Sequence, residues 1–188
     1  MDPDQTALIV VDMQRSFCHP DGNLYAPASA DVIDPCVELV ERTRDAGGTV
    51  VFTRDVHPPD QFADAHYYDE FERWGDHVVE GTADAALIDA LDPADADLVV
   101  EKHTYDAFHR TQLGGYLDAH GIDDLVICGT LANVCVLHTA ASAGLRDFRP
   151  ILVEDAVGFL DPEDREYALD HADWLFGEVR TREDLSFG

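Results

Sequence analysis

Three residues in this chain stand where a short apolar run gives out, and their types suit one kind of chemistry. Asp12 follows Leu8-Ile9-Val10-Val11, Lys102 closes Val99-Val100-Glu101, and Cys135 comes shortly after Leu125–Cys128. A carboxylate can take the proton of a thiol, an ammonium can stabilise the charged pair, and the thiolate can attack a carbonyl carbon. Lys102 is the only lysine; the other eleven of the 12 cationic side chains are arginines. A compact ammonium cannot be exchanged for a planar guanidinium where the geometry is tight, so one retained lysine suggests a site that needs it. Asn133 is placed to cap a helix that begins beside Cys135. A helix N-terminus would lower that thiol's pKa and offer backbone N–H groups to an oxyanion. The plainer alternatives are a turn-capping aspartate, a surviving surface lysine and a small buried cysteine.

A second cluster has metal-ligand character. Asp55-Val56-His57 alternates, which puts both polar side chains on one side of an extended segment. Together with His77 they give a carboxylate and two imidazoles, a set suited to Zn²⁺, Fe²⁺ or Mn²⁺ with positions left open. His66, Glu70 and Glu72 could add ligands or face solvent. The remaining histidines, including His138, carry no assigned role, and Cys18, Cys36 and Cys128 read as buried thiols.

The elements that must position these groups follow from hydrophobic period. Ala7–Val11, Thr49–Thr53, Leu98–Glu101, Leu125–Cys128 and Ile151–Val153 read as buried parallel strands, with Glu178–Thr181 a weaker sixth. Val32–Ala46, Thr111–His120, Asn133–Leu145 and Pro162–Asp173 read as helices between them. The alternation predicts an α/β protein with three α/β/α layers around a mainly parallel six-stranded sheet, in a single domain over residues 1–188. Ligands of such sheets bind beyond the carboxyl ends of the strands, where Asp12, Asp55, Lys102 and Cys135 all fall. The stretch from Arg54 to about Thr82 shows no periodicity, and connections that long are usually functional.

Charge narrows the partners. The 188 residues carry 39 acidic and 12 basic side chains, a net of -27, spread along the chain among apolar periods. That field repels nucleic acid and anionic membranes and fits an acidic surface adapted to high salt. No apolar run is long enough to span a bilayer, no signal peptide is visible and the four cysteines form no CxxC pair. A cytoplasmic protein, assembling as a homo-oligomer around a small-molecule substrate, is expected.

Four ordered segments then resemble the isochorismatase-like cysteine hydrolases, nicotinamidases in particular, across most of the chain. "ALIVVDMQRSFC" resembles the family's first strand with its catalytic aspartate. "FTRDVHPPDQF" and "RWGDHVVEGT" resemble the metal-binding segments of nicotinamidases. "EKHTYDAFHRTQL" resembles the lysine strand, and "ICGTLANVCVLHTAASA" the nucleophile turn. The resemblance implies a catalytic triad of Asp12, Lys102 and Cys135. It also implies a cis peptide at Thr130–Leu131 and an oxyanion hole from the N–H groups of Leu131 and Cys135. Aromatic pocket walls would be Phe17, Trp74 and Tyr105, and a divalent metal, zinc first, with iron or manganese as alternatives, would sit on Asp55, His57 and His77. Three positions depart from the nicotinamidase pattern: Gln61 where a further histidine is common, His109 at a later pocket aromatic position, and Ala132 in place of a threonine. The expected reaction is hydrolysis of a small carboxamide through a thioester, with nicotinamide as the substrate. The alternatives are a metal-free hydrolase of another small amide, carbamoyl compound or vinyl ether, and a non-catalytic ligand-binding protein of the same fold.

Overall fold

The structure, a computed structural model, describes residues 1–59 and 73–187. Gln61, His66, Glu70 and Glu72 lie outside the described residues. Six strands form one sheet: β1 (Thr6–Val11), β2 (Thr49–Asp55), β3 (Leu98–Lys102), β4 (Asp124–Gly129), β5 (Arg149–Val157) and β6 (Glu178–Arg180). Their order is β3-β2-β1-β4-β5-β6, and every pairing is parallel. The weak sixth strand is real, and it sits at an edge, where short strands are common.

Strand alternation divides the core in two. Ala7, Ile9 and Val11 of β1 face one side, where they meet Leu113 and Leu117 of α4 (Leu113–His120), Leu137 and Ala140 of α5 (Leu137–Gly144) and Leu169 of α6 (Pro162–Leu175). Leu8 and Val10 face the other, against Cys36, Leu39 and Val40 of α3 (Ile33–Asp45). Two short helices, α1 (Arg15–Cys18) and α2 (Pro27–Asp31), lie between β1 and α3 in the chain. A strand buried on both faces needs apolar residues at every position, which is why β1 reads as an unbroken run. No helix among the described residues is long and apolar enough to cross a membrane.

The topology also fixes where a ligand can go. The chain runs outward from β1 through β2 to β3, then returns to place β4 on the other side of β1. Connections leaving β1 and β4 therefore diverge to opposite faces and open a crevice at their carboxyl ends. Gly129 closes β4 at φ 109°, and a Cβ there would stand 2.1 Å from Val11 O. Only glycine allows the two strand exits to approach that closely.

One expected boundary is wrong in an informative way. The helix after β4 does not start at Asn133. Ala132–Val136 forms a π-helical turn, and α5 proper begins at Leu137. Leu131 takes the cap position, without a side-chain capping bond, so Asn133 is not the cap. π-turns of this kind often occur at functional sites, because one extra residue per turn redirects a side chain.

Candidate active site

Four strand exits deliver four functional groups to one place. Asp12 leaves β1 with φ 47°, an uncommon conformation for a non-glycine residue, and is fully buried. Its Oδ1 accepts from Thr53 Oγ1 at 2.7 Å, and its own N–H bonds to Thr53 as well. Lys102 ends β3 with its side chain wholly buried; Nζ lies 2.6 Å from Asp12 Oδ2 and 3.8 Å from Asp55 Oδ2. Nζ also donates to Thr104 O at 2.9 Å and stands 3.5 Å from Cys135 Sγ. The Cys135 thiol, at the fourth position of the π-turn, is buried beside Lys102 and within the electrostatic reach of Asp12.

Burial and charge set the protonation states. Removal from water pushes the Asp12 carboxyl up despite the pull of Lys102, so it is a stronger base than an exposed aspartate. Burial opposes the charge on Lys102, but Asp12, Asp55 and Cys135 outweigh it and hold the group as an ammonium. Burial also pushes the Cys135 thiol well up; Lys102 works against this, while Asp12 and Asp55 reinforce it. The expected low-pKa thiolate is therefore corrected. The resting thiol is protonated, because Cys135 is buried and two carboxylates stand near it, outweighing the pull of Lys102.

Asp55 ends β2, and Gln14 clamps its backbone: Asp55 N–H donates to Gln14 Oε1 and Gln14 Nε2 donates to Asp55 O, both at 2.8 Å. Burial raises the Asp55 carboxyl, but Lys102 and His57 prevail and bring it below the usual range. His57 Nε2 is 3.6 Å from Asp55 Oδ2, and the His57 and His77 rings meet edge-on with centroids 5.2 Å apart. His77 Nδ1 donates to Gly75 O at 2.8 Å. A second-partner carbonyl of this type is common behind metal-bound histidine. Asp55 Oδ1 is a buried acceptor with no hydrogen-bond partner among the described residues. The donor types thus suit a divalent metal, yet no three such side chains among the described residues stand close enough to hold an ion.

Above the floor opens a cavity of about 570 Å³, lined by Phe17, Trp74 and Tyr105, together with Leu131, Cys135, Asp55 and His77. The three aromatic positions read from the sequence therefore share one cavity with the thiol. The Thr130–Leu131 peptide is cis, and Leu131 O accepts from both Val134 N–H (3.1 Å) and Val136 N–H (3.2 Å). The cavity also has walls the sequence reading passed over: Arg73, Asn23 and His138, the last with Nδ1 on Val134 O at 2.7 Å. His138 lies three positions after Cys135, a spacing that brings side chains together on a helix and could have flagged it. His109 and Ala132 are present as read, but His109 is not among the cavity-lining residues.

A buried acid, ammonium and thiol in contact at the floor of a cleft define a cysteine-hydrolase type of site. The chain belongs to the isochorismatase family: the family model described as Isochorismatase domain matches residues 6–184. It is 31% identical to the maleamate amidohydrolase of Pseudomonas putida over 178 residues, covering 95% of this chain and 84% of that protein. To the nicotinamidase of Acinetobacter baylyi it is 36% identical over 180 residues, covering 82% of each. Among solved structures, the pyrazinamidase of Pyrococcus horikoshii in complex with zinc superposes with a TM-score of 0.84 at 30% identity, covering 94% of this chain and 99% of that one.

Proposed function

We propose that the chain, acting as one domain, hydrolyses a small carboxamide through a thioester on Cys135, and that nicotinamide is the substrate, giving nicotinate and ammonia. The observation that carries this reading is Lys102 in contact with both Asp12 and Cys135 at an aromatic-walled cavity. The names of the amide-cleaving relatives support it.

The chemistry follows from the protonation states. Asp12 takes the thiol proton as Sγ attacks the carboxamide carbon, and Lys102 stabilises the negative charge as it forms on sulfur. The carbonyl electrons move to oxygen, which the N–H groups of Leu131 and Cys135 receive. Collapse breaks the C–N bond, and the proton on Asp12 leaves with the nitrogen as ammonia. Water then attacks the thioester while Asp12 accepts its proton, releasing the carboxylate and restoring the thiol.

Asp55, His57 and His77 are the candidate donors for a divalent metal, which would have to draw them closer than they stand. Bound there, it would supply a Lewis acid for the pyridine nitrogen and so orient the ring. The field of a chain with net charge -27 also suits a neutral substrate and an anionic product that is repelled once formed. Arg73 in the cavity lining favours a second reading, an amide that also bears a carboxylate, such as maleamate.

The test compares ammonia release from nicotinamide, benzamide and maleamate, before and after chelation. Nicotinamide should be turned over, chelation should abolish this, and zinc, iron or manganese should restore it. Benzamide, lacking the ring nitrogen, should be poorer by about ten- to a hundredfold. Maleamate turnover without nicotinamide turnover would replace the first reading with the second, and nicotinamide turnover indifferent to chelation would discard metal orientation of the ring.

A further inference from the structure

Two wall segments of the cavity are joined by a carboxylate that takes no part in the chemistry above. Asn23 and Leu24 on one chain segment and Arg73, Trp74 and His77 on another all line it. Asp84 lies between them. Its Oδ1 accepts the Asn23 N–H at 3.0 Å, and its Oδ2 accepts the Val78 N–H at 2.9 Å. Asn23 Nδ2 adds a third tie, donating to Asp76 O at 2.9 Å.

The anchor itself is held from below. Asp84 sits in the turn Ala83–Ala85, and Gln14 Nε2 donates to Ala85 O at 2.9 Å. Arg15 N–H donates to Ala86 O at 2.8 Å and Ile88 N–H to Met13 O at 2.9 Å, so this segment is pinned to the exit of β1 just past Asp12. Val78 is the strained member. A fully buried, β-branched residue, it holds φ 43°, which costs energy unless the surroundings impose it. Its N–H goes to Asp84 and its carbonyl accepts His57 N–H at 3.0 Å, so the surroundings do impose it.

We propose that Asp84, with Asn23, is a positioning element that locks these two wall segments of the substrate cavity to the strand exit bearing Asp12, and so sets substrate affinity without entering the chemical steps. A carboxylate accepting two backbone N–H groups suits this task, since charge-assisted bonds are stronger than neutral ones. The proposal rests on the cavity being the substrate site proposed above.

Trp74 reports on the wall directly. The chain has two tryptophans, and the other, Trp174, is exposed on α6, outside the cavity lining. In a Trp174→Phe background, acrylamide quenching of fluorescence therefore reads Trp74 alone. Trp74 is itself 45% exposed, so Asp84→Ala should raise the quenching constant by about 1.5-fold as a locally released wall opens further to solvent. Asn23→Ala, which keeps the backbone N–H bond, should raise it less. With nicotinamide, Asp84→Ala should increase KM by about tenfold and leave kcat within about twofold. Unchanged quenching would overturn the proposal, as would a fall in kcat at constant KM. Should Asp84→Ala lose its far-UV circular dichroism, Asp84→Asn keeps the shape but can accept only one of the two N–H groups. It should give an intermediate rise, and no rise would again overturn the proposal. Failure of the parent protein to release ammonia from nicotinamide would count against the substrate reading only, because the quenching comparison decides the wall by itself.

Discussion

Lys102 Nζ lies 2.6 Å from Asp12 Oδ2, and neither side chain reaches solvent. The pair is held between two faces of core and answers why one lysine persists in an otherwise lysine-free chain. A buried ammonium touching two carboxylates and a thiol has no room for a planar guanidinium. Lys102→Arg should therefore lose most activity while far-UV circular dichroism stays native. Turnover near the parent level would return Lys102 to a purely structural role.

Deleting the charge should be worse for the fold. Lys102→Met leaves Asp12 and Asp55 buried without their cation, at a cost of about 3–5 kcal/mol. The sign with pH follows from Asp12, whose carboxyl burial already pushes up and Lys102 pulls down. Without Lys102 it rises further, so the folded variant binds a proton the unfolded chain releases. Stability of the variant should then improve, relative to the parent, as pH falls from 7 to 5. Urea unfolding at the two pH values measures this; a constant difference would show that Asp12 does not respond to the loss.

The acid limb of the reaction should report the same group. Asp12 must be ionised to accept the thiol proton, and its carboxyl lies above the ordinary range. The kcat/KM profile should fall on the acid side with a midpoint above the usual aspartate value of about 3.9. Asp12→Asn should cost about 10²–10⁴-fold in kcat, the range of general base catalysis, while the protein stays folded. A limb at the ordinary value would mean that Asp12 is solvated or is not the base.

Much of this site was readable from sequence because each strand is a short apolar run and each functional residue ends one. Asp12, Asp55 and Lys102 were placed at one sheet edge by that rule alone, and Phe17, Trp74 and Tyr105 by resemblance. The ionisation of Cys135 was not readable. It depends first on burial inside a turn whose π geometry a helical period cannot distinguish from an α-helix, and then on two carboxylates that come from separate strands. Thr53, Gln14, Asn23 and Asp84 were missed for a related reason. Each acts through two or three hydrogen bonds, most of them to backbone or side chain far away in sequence, and such bonds leave no local pattern. The strand order also escaped, since period gives strands but not their neighbours.

Thiol labelling should follow geometry more than intrinsic acidity. Burial pushes Cys18 up to about 12, and Cys36 and Cys135 are raised as well. Of the four, only Cys135 lines the cavity. Iodoacetamide at neutral pH should label the chain slowly, with Cys135 first, and faster as pH rises. Peptide mapping that found Cys18 or Cys36 labelled first, with activity retained, would contradict the assignment.

Melting temperature should rise between low and molar KCl. Repulsion across a surface of net charge -27 is screened as salt increases, whereas the buried Asp12–Lys102 pair is shielded from it. A flat melting temperature would refute the reading of the composition as adapted to high salt.

The central claim is that Cys135 carries the acyl group, and the most direct measurement looks for that adduct. The protein is mixed with nicotinamide, quenched in acid within the first turnover, and its intact mass and peptides are determined. The account predicts a single added nicotinoyl group, located on the peptide containing Cys135 and absent from Cys135→Ser. Ammonia released at the same rate with no adduct on Cys135, or with the adduct on another residue, would contradict it.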